Sequence, residues 1–295
     1  IIPEGLPIVI TLVLAGGVWR MSRQNVLVKK LQAVEALGQA WVIAMDKTGT
    51  LTRNEMVIQK IYAAGEFFEV EGAGYEAKGA ALFDGRPANL TNHPELALAG
   101  KISAFCSNAR VMFSEETKEW RVAGDPTEAA MEVFARKLGL KKDELERTEP
   151  LLIDLPFSYQ LQYHATIHAS GGGEFLAVAG APEAILNLCA KVWRHGRSQP
   201  LDKEAKQKLE LIFLEMSRSG LRVVALGENR QAAKTLKAEE VRDLTFVGFI
   251  GMRDSLRPEA IKAVEKLRSA NIRVVMITGD HKNTAQAIAS EAGIY

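Results

Sequence analysis

The chain has 295 residues, of which 47% are hydrophobic, and its 37 basic and 36 acidic residues leave a formal charge of +1. This length and composition can bury one large core or two ordinary ones, which excludes a disordered tail. A charge so close to zero gives no general attraction for nucleic acid, so we expect no nucleic-acid partner. The two cysteines, Cys106 and Cys189, have neither the number of a disulfide framework nor the spacing of metal ligands.

An apolar run opens the chain at residues 1–19, and Glu4 is its only acidic residue before a basic segment begins. Its length approaches that of a membrane span, although Pro3 and Pro7 would break a helix near its start. Four basic residues without acids follow, as is typical of the cytoplasmic side of a membrane: Arg20, Arg23, Lys29 and Lys30. We therefore predict the end of a transmembrane helix at 1–19 and a cytoplasmic stalk at 20–35, cut from a longer chain.

Two apolar segments far apart in the chain are typical of buried parallel strands. The first, 41–45, ends at Asp46, and the second, 273–277, ends at the polar residues 278–280. The carboxyl ends of strands are where open α/β sheets bind ligands. A third apolar segment, 246–252, precedes Asp254 and a helix that begins near Pro258, and with the strand 273–277 it predicts a βαβ unit.

The middle of the chain mixes short strands with helices at 127–138 and 202–217. Three glycines at 171–173 lie between two strands and predict a hairpin, hence an antiparallel sheet. The candidate strands are 119–122, 151–155, 163–169, 175–179 and 222–226. We predict that residues 60–243 form a second domain inserted into a first one, which comprises 36–59 and 244–295.

Four motifs occur in one order along the chain: PEGLP at 3–7, DKTGTLT at 46–52, GAPE at 180–183 and TGD at 278–280. The set resembles the signature motifs of the P-type ion-pumping ATPases, and four motifs in family order are far more specific than any one of them. The resemblance covers nearly the whole chain. It implies an α/β fold, with a haloacid-dehalogenase-like Rossmannoid phosphorylation domain and an inserted α+β nucleotide-binding domain on an antiparallel sheet. It also implies ATP and Mg²⁺ as cofactors and a multi-pass membrane protein, with most of this chain on the cytoplasmic side.

The DKTGT segment carries the catalytic residues that the resemblance implies. Asp46 would accept the γ-phosphoryl group of ATP, Lys47 and Thr278 would assist, and Asp46 and Thr48 would hold Mg²⁺. A carboxylate that attacks a phosphoryl group faces an anion, so the hydroxyls and backbone N–H groups of residues 47–50 suit this place. In the wider superfamily a second aspartate often stands two residues after the nucleophile. Thr48 cannot abstract a proton from water near neutral pH, so we expect the aspartyl phosphate to persist.

The same resemblance implies the nucleotide-binding residues of the inserted domain. Phe157, in the motif PFS, would stack on adenine, Glu128, in GDPTEAA, would reach the nucleotide, and Gly180 belongs to GAPE. Arg222, in GLRVVAL, would contact the phosphates. The alternatives are a core aromatic ring for Phe157, a first-turn helix acid for Glu128 and a surface arginine for Arg222.

Three further residues resemble family positions near the nucleotide phosphates or the hinge: Gly279, Asp280 and Asp254. A solvated acid at a strand end is the alternative for each of the two aspartates. The chain also departs from the family, because Ala179 and Gln162 stand where lysines are common. Loss of two cations beside a polyanionic ligand should weaken ATP binding by ~1 to 3 kcal/mol if each made a charge-assisted hydrogen bond.

One motif, PEGLP, indicates which ion is transported. A proline-broken membrane helix frees backbone carbonyls, and Glu4 adds a carboxylate, a set of oxygen ligands suited to a hard cation. The motif resembles the calcium-pump branch, so we expect Ca²⁺, with another cation or a plain helix kink as alternatives.

The family motifs GDGxNDxP and TGES do not occur in the 295 residues. We therefore expect this portion alone not to pump, and we expect actuator and membrane domains of the same polypeptide as its partners, along with the lipid membrane. A soluble phosphatase of the same superfamily and a nucleotide-binding remnant without turnover are the rival hypotheses.

Overall fold

The computed structural model describes residues 5–72, 74–116, 119–194, 196–230, 241–279 and 282–295, so Glu4 and Asp280 lie outside the described residues. Within these ranges the helices are α1 (Leu6–Ser22), α2 (Gln32–Gly38), α3 (Pro94–Phe105), α4 (Pro126–Lys137), α5 (Lys142–Thr148), α6 (Pro182–Leu188), α7 (Lys203–Arg218), α8 (Pro258–Ser269) and α9 (Lys282–Glu291). The strands are β1 (Val42–Asp46), β2 (Thr52–Ala63), β3 (Glu66–Val70), β4 (Ala81–Phe83), β5 (Arg86–Pro87), β6 (Arg110–Ser114), β7 (Glu119–Ala123), β8 (Leu151–Leu155), β9 (Tyr163–Ser170), β10 (Gly173–Gly180), β11 (Cys189–Arg194), β12 (Arg197–Pro200), β13 (Arg222–Asn229), β14 (Leu244–Leu256) and β15 (Arg273–Ile277).

A large, mainly antiparallel sheet dominates the chain, as the middle segment predicted. Its strand order is β5-β4-β3-β2-β14-β13-β10-β9-β8, and β11 pairs in parallel with β14 and antiparallel with β12. The predicted hairpin is confirmed, because β9 and β10 pair antiparallel from Ser170 opposite Gly173. Gly171 and Gly172 in the turn have φ of 57° and 87°, the left-handed region that glycine adopts without a steric cost. The predicted helices at 127–138 and 202–217 are confirmed as α4 and α7.

Helices cover both faces of this sheet. The core on one side holds Phe68 of β3, Phe105 of α3 and Phe134 of α4. The core on the other side holds Phe246 and Phe249 beneath α6 and α7. Successive side chains of β10 enter the two cores in turn, because side chains along a strand alternate between faces. The apolar run 175–179 of β10 is therefore buried on both faces of the sheet.

Strands β1 and β15 form a separate parallel pair, with Val42 opposite Arg273 and Asp46 opposite Ile277. The predicted parallel pairing is confirmed. The predicted burial is wrong for much of the pair, since Val42 is 52% and Ile277 59% exposed. The physical reason is that, within the described ranges, these two strands are the whole sheet, so their outer edges carry no further strand.

The predicted βαβ unit is wrong in its first strand. Residues 246–252 lie in β14, which pairs antiparallel with β2 and β13 of the large sheet and not with β15. Helix α8 follows as predicted, with Pro258 in its first turn. An apolar run indicates that a strand is buried but not which strand lies beside it. Here the neighbour of β14 is β2, which begins directly after the DKTGTL segment.

Helix α1 begins at Leu6, with Pro7 in its first turn, and is 17 residues long. Among the helices that the structure describes, none combines the length and the apolar character needed to cross a membrane. The membrane segment at 1–19 stays a prediction.

Candidate functional site

Asp46 lies at the carboxyl end of β1, directly opposite the last residue of β15. Thr278 and Gly279 follow β15, so the structure brings them to the same strand ends as Asp46. The side chains of Asp46 and Thr48 are both exposed. An exposed carboxylate and an exposed hydroxyl therefore stand where two parallel strands end, the position at which α/β sheets bind ligands.

The loop from 47 to 51 turns the chain from β1 into β2. Gly49 has a φ of 76°, a conformation that disfavours any side chain with a Cβ. Its N–H donates to Thr52 Oγ1 at 3.3 Å, which closes the loop. The positive φ that this turn requires therefore explains the glycine in DKTGT.

Asp254 anchors this loop from the end of β14. Its Oδ2 lies 2.5 Å from Thr52 Oγ1, and its Oδ1 accepts the N–H of Glu55 at 3.1 Å. The ammonium of Lys47 lies 4.0 Å from the same Oδ2, and both side chains are 7% exposed. The alternative of a solvated strand-end acid is therefore wrong for Asp254. The buried ammonium of Lys47 is directed toward Asp254.

Arg257 is a loop residue that sequence reasoning missed. Its Nε donates to Thr52 O at 3.0 Å and its Nη2 to Gly49 O at 3.2 Å. Its own N–H donates to Leu51 O at 2.9 Å. The available signal was its place three residues after Asp254 and directly before the first proline of α8.

A cavity of about 320 Å³ opens in the large-sheet region, and four predicted nucleotide residues line it: Glu128, Phe157, Gly180 and Arg222. They come from α4, from the loop after β8, from the end of β10 and from the start of β13, and span almost 100 residues of sequence. Asp254, Thr278 and Gly279 do not line it and belong to the Asp46 loop and strand ends. The remaining lining residues are Cys106, Asp125, Thr127, Met131, Tyr159, His164, Ala179, Ala181, Pro182, Val223 and Val224.

Cavity and loop occupy the same end of the sheet. Arg222 begins β13 and pairs with Met252 of β14, and Asp254 lies two residues further along that strand. From Asp254 the strand register passes to β2, where Met56 is its partner. One central strand, β14, thus joins the arginine of the cavity to the anchor of the Asp46 loop.

The first turn of α4 carries Glu128 into the cavity. Asp125 caps this helix, because its Oδ1 accepts the N–H groups of Thr127 at 2.7 Å and Glu128 at 3.3 Å. Glu128 Oε2 accepts the N–H of Asn108 at 2.8 Å. Glu128 is therefore the first-turn acid of the alternative interpretation and a cavity residue at once. Thr127 Oγ1, which sequence reasoning missed, is buried without a hydrogen-bond partner among the described residues.

The aromatic rings at the cavity are not core residues. Phe157 is 49% exposed and Tyr159 92% exposed. Their rings meet edge to face, with centroids 5.7 Å apart. A half-exposed ring at a cavity offers a stacking surface for a planar ligand. Tyr159 had no signal in the motifs.

Gly180 lines the cavity but has a packing reason as well. A Cβ at this position would lie within 2.6 Å of Gln162 O and of the Cα and Cβ of Tyr163. Strands β9 and β10 could not approach so closely with a larger residue here. The GAPE glycine is thus required by the sheet itself.

The charge of the cavity is set by few groups. Arg222 is the one lysine or arginine among the lining residues that the structure describes, and Asp125 and Glu128 carry the carboxylates. Ala179, at a position where a lysine was expected, lines the cavity and contributes no charge. The N–H of Ala181 donates to Gln162 O at 2.8 Å, so the main chain of Gln162 continues the pairing of β9 with β10.

Among known protein families, residues 96–259 match the one described as P-type ATPase, cytoplasmic domain N. The chain is 40% identical, over 99% of its length, to the cation-transporting ATPase pma1 of Synechocystis sp.. It is 34% identical over 98% to a calcium-transporting ATPase of Bacillus subtilis, and 39% identical over 99% to a probable cation-transporting ATPase F of Mycobacterium bovis. It spans about a third of the length of these relatives (32 to 33%).

Proposed function

Because the chain belongs to the P-type ATPases, we propose that it is the ATP-binding and phosphoryl-accepting portion of a cation pump. The observation that carries the proposal is the convergence of Glu128, Phe157, Gly180 and Arg222 on one cavity. Four residues named for nucleotide binding would not line a single cavity if their motifs had matched by accident.

We propose that residues 60–243 bind the nucleotide and that 36–59 and 244–295 belong to a haloacid-dehalogenase-like phosphorylation domain. The parallel pair of β1 and β15, with Asp46 at its carboxyl end, supports that assignment. The strands β2 and β14 connect the two parts, because they run from the Asp46 loop into the large sheet.

In the proposed reaction the half-exposed ring of Phe157 stacks on adenine and Arg222 contacts the phosphates. A carboxylate oxygen of Asp46 forms a bond to the γ-phosphorus, and the bond from that phosphorus to the ADP oxygen breaks, so ADP leaves. Thr48 provides no carboxylate to activate water, so the aspartyl phosphate persists long enough to be coupled to ion movement.

Mg²⁺ fits the residues at the strand ends. It prefers oxygen ligands, and Asp46 and Thr48 present exposed oxygens there, whereas Asp254 is occupied by the loop. Asp46 and Thr48 would hold the ion, which when bound neutralises negative charge on the phosphates.

Nucleotide titration of the full chain tests the proposed cavity. Phe157→Ala removes the stacking surface and should weaken ATP binding by about 1 to 3 kcal/mol. Arg222→Ala removes a cation that would contact phosphate and should cost about 1.5 to 3 kcal/mol. Calorimetry with Mg-ATP measures both losses.

Matched controls exist elsewhere on the surface. Phe113 is 42% exposed and pairs edge to face with Trp120 at 5.4 Å, much as Phe157 pairs with Tyr159. Arg218 is an exposed arginine at the end of α7. Phe113→Ala and Arg218→Ala should leave ATP binding unchanged. If Phe157→Ala and Arg222→Ala bind ATP as tightly as the wild type does, the cavity is not the ATP site.

We propose Ca²⁺ as the transported ion, since relatives named calcium-transporting ATPases align with almost the whole chain. The ligand expected for it, Glu4, lies outside the described residues. Uptake of Ca²⁺ into vesicles by the full-length pump, and its loss in Glu4→Gln, should accompany ATP turnover that depends on Ca²⁺. Turnover that is equally fast without Ca²⁺ would contradict the choice of ion.

A further inference from the structure

His164 lines the same cavity from β9, where it lies directly opposite Ala179 of β10. It is 3% exposed, so its ring is part of the cavity wall and is shielded from bulk water. No motif named this residue. Its position places an ionisable side chain across the strand pair from the alanine that contributes no charge.

Both ring nitrogens of His164 face hydrogen-bond acceptors. Nδ1 lies 3.1 Å from the carbonyl oxygen of Cys106, which can only accept, so Nδ1 carries a proton. Nε2 lies 2.7 Å from Oδ1 of Asp154, whose carboxylate also accepts. A neutral imidazole has one N–H, so this arrangement is satisfied by the doubly protonated, positively charged ring.

His168, two residues along the same strand, shows the contrast. Its Nδ1 donates to Glu149 O at 3.1 Å, and its Nε2 faces Thr166 Oγ1 at 3.1 Å, a hydroxyl that can itself donate. One proton therefore satisfies the ring, and burial lowers the pKa of His168 to about 4. His168 stays neutral at physiological pH, and among the described residues no carboxylate contacts its nitrogens in the way that Asp154 contacts His164.

The groups packed around His164 are mostly acidic. Asp154 faces it from β8, and Glu128 Oε1 from α4 lies 3.8 Å from Nδ1. The thiol of Cys106, after α3, stays neutral because burial raises its pKa to about 12. Across the cavity, β13 contributes Arg222.

The charge balance of the cavity wall depends on this ring. The described lining holds two carboxylates, Asp125 and Glu128, and one guanidinium, Arg222, and Asp154 adds a third carboxylate behind the ring. These groups sum to a charge of −2 if His164 is neutral and −1 if it is protonated. A polyanionic ligand is repelled less by the less negative wall, and the effect is strong where water is partly excluded.

We propose that His164 is a positioning residue of the nucleotide cavity: it carries protons on both ring nitrogens, offsets the Glu128 carboxylate and supplies, through strand β9, positive charge that Ala179 lacks. This inference rests on the proposed nucleotide function. It assigns to the histidine an electrostatic contribution to phosphate binding beside that of Arg222.

The test compares ATP with adenosine in calorimetric titrations of the full chain. His164→Gln keeps a hydrogen-bond donor but no charge, and ATP should bind about tenfold more weakly, with a smaller change for adenosine, which has no phosphates. Asp154→Asn keeps the histidine but removes its carboxylate partner, so it should weaken ATP binding in the same direction. This second variant keeps the test valid if His164→Gln does not fold.

A compensating substitution separates charge from simple packing. Ala179→Lys in the His164→Gln background places an ammonium on the neighbouring strand, so it should restore ATP affinity.

The outcomes are distinguishable from failure of the proposed function. If ATP does not bind, or binds equally to wild type and Phe157→Ala, the proposed function falls and this inference with it. If Phe157→Ala weakens binding while His164→Gln and Asp154→Asn leave ATP affinity unchanged, only the role of His164 is overturned. Loss of ATP affinity that Ala179→Lys does not restore also overturns it, because a packing defect has no reason to respond to charge.

Discussion

Replacing Asp46 by asparagine in the full-length pump should abolish the phosphoenzyme. The amide has the size of the carboxylate but is not a nucleophile toward phosphorus, so the rate of phosphoryl transfer should fall by at least about a thousandfold. The measurement is incorporation of labelled phosphate from ATP into acid-stable, hydroxylamine-sensitive protein. ATP binding should persist, because Asp46 does not line the nucleotide cavity.

Asp84 provides a matched control. It is an exposed aspartate between β4 and β5, in a left-handed conformation with φ of 48° that asparagine also tolerates. Asp84→Asn should therefore leave phosphoenzyme formation at the wild-type level. Persistence of hydroxylamine-sensitive label in Asp46→Asn would show that another residue accepts the phosphoryl group.

Local pattern predicted much of the large sheet and missed elements whose pattern is uniform. Helices α4 and α7 have a polar and an apolar face, so their 3.6-residue period is visible in the sequence. Helix α3 was not predicted, and the structure explains why: it is buried on nearly every side, so no polar face marks its period. Strand β2 was missed because its first residue, Thr52, is the last residue of the DKTGTLT motif. The next three residues, 53–55, are polar and do not indicate a buried strand.

The candidate site divides in the same way. Motif resemblance predicted Glu128, Phe157 and Arg222 as nucleotide-binding residues. Hydrophobic periodicity could not have predicted that these three residues line one cavity. The pairing of β14 with β2 joins residues about 200 positions apart, so the anchoring of the loop by Asp254 was out of reach of the sequence. The same limit applies to His164, because only the folded sheet brings its ring into contact with Asp154.

Asp254→Ala should destabilise the Asp46 loop strongly. Asp254 is 8% exposed, and its carboxylate accepts from Thr52 and Glu55 and offsets the buried ammonium of Lys47. Loss of these contacts should lower the free energy of unfolding by about 3 kcal/mol, because the buried groups that contact the carboxylate lose this partner. Chemical denaturation measures the loss, and phosphoenzyme formation should fall with it because the loop carries the nucleophile.

Two substitutions separate this role from a general effect of charge. Asp143 is an exposed first-turn acid of α5, and Asp143→Ala should cost less than about 1 kcal/mol, the macrodipole contribution alone. Asp254→Asn retains one acceptor oxygen for Thr52 or Glu55, so it should recover part of the stability lost in Asp254→Ala, although the negative charge of residue 254 stays absent. If Asp254→Ala unfolds at the wild-type denaturant concentration, the carboxylate does not hold the loop. Nucleotide affinity adds a separate readout: because Asp254 does not line the cavity, Asp254→Ala should bind ATP as wild type does even where it no longer forms phosphoenzyme.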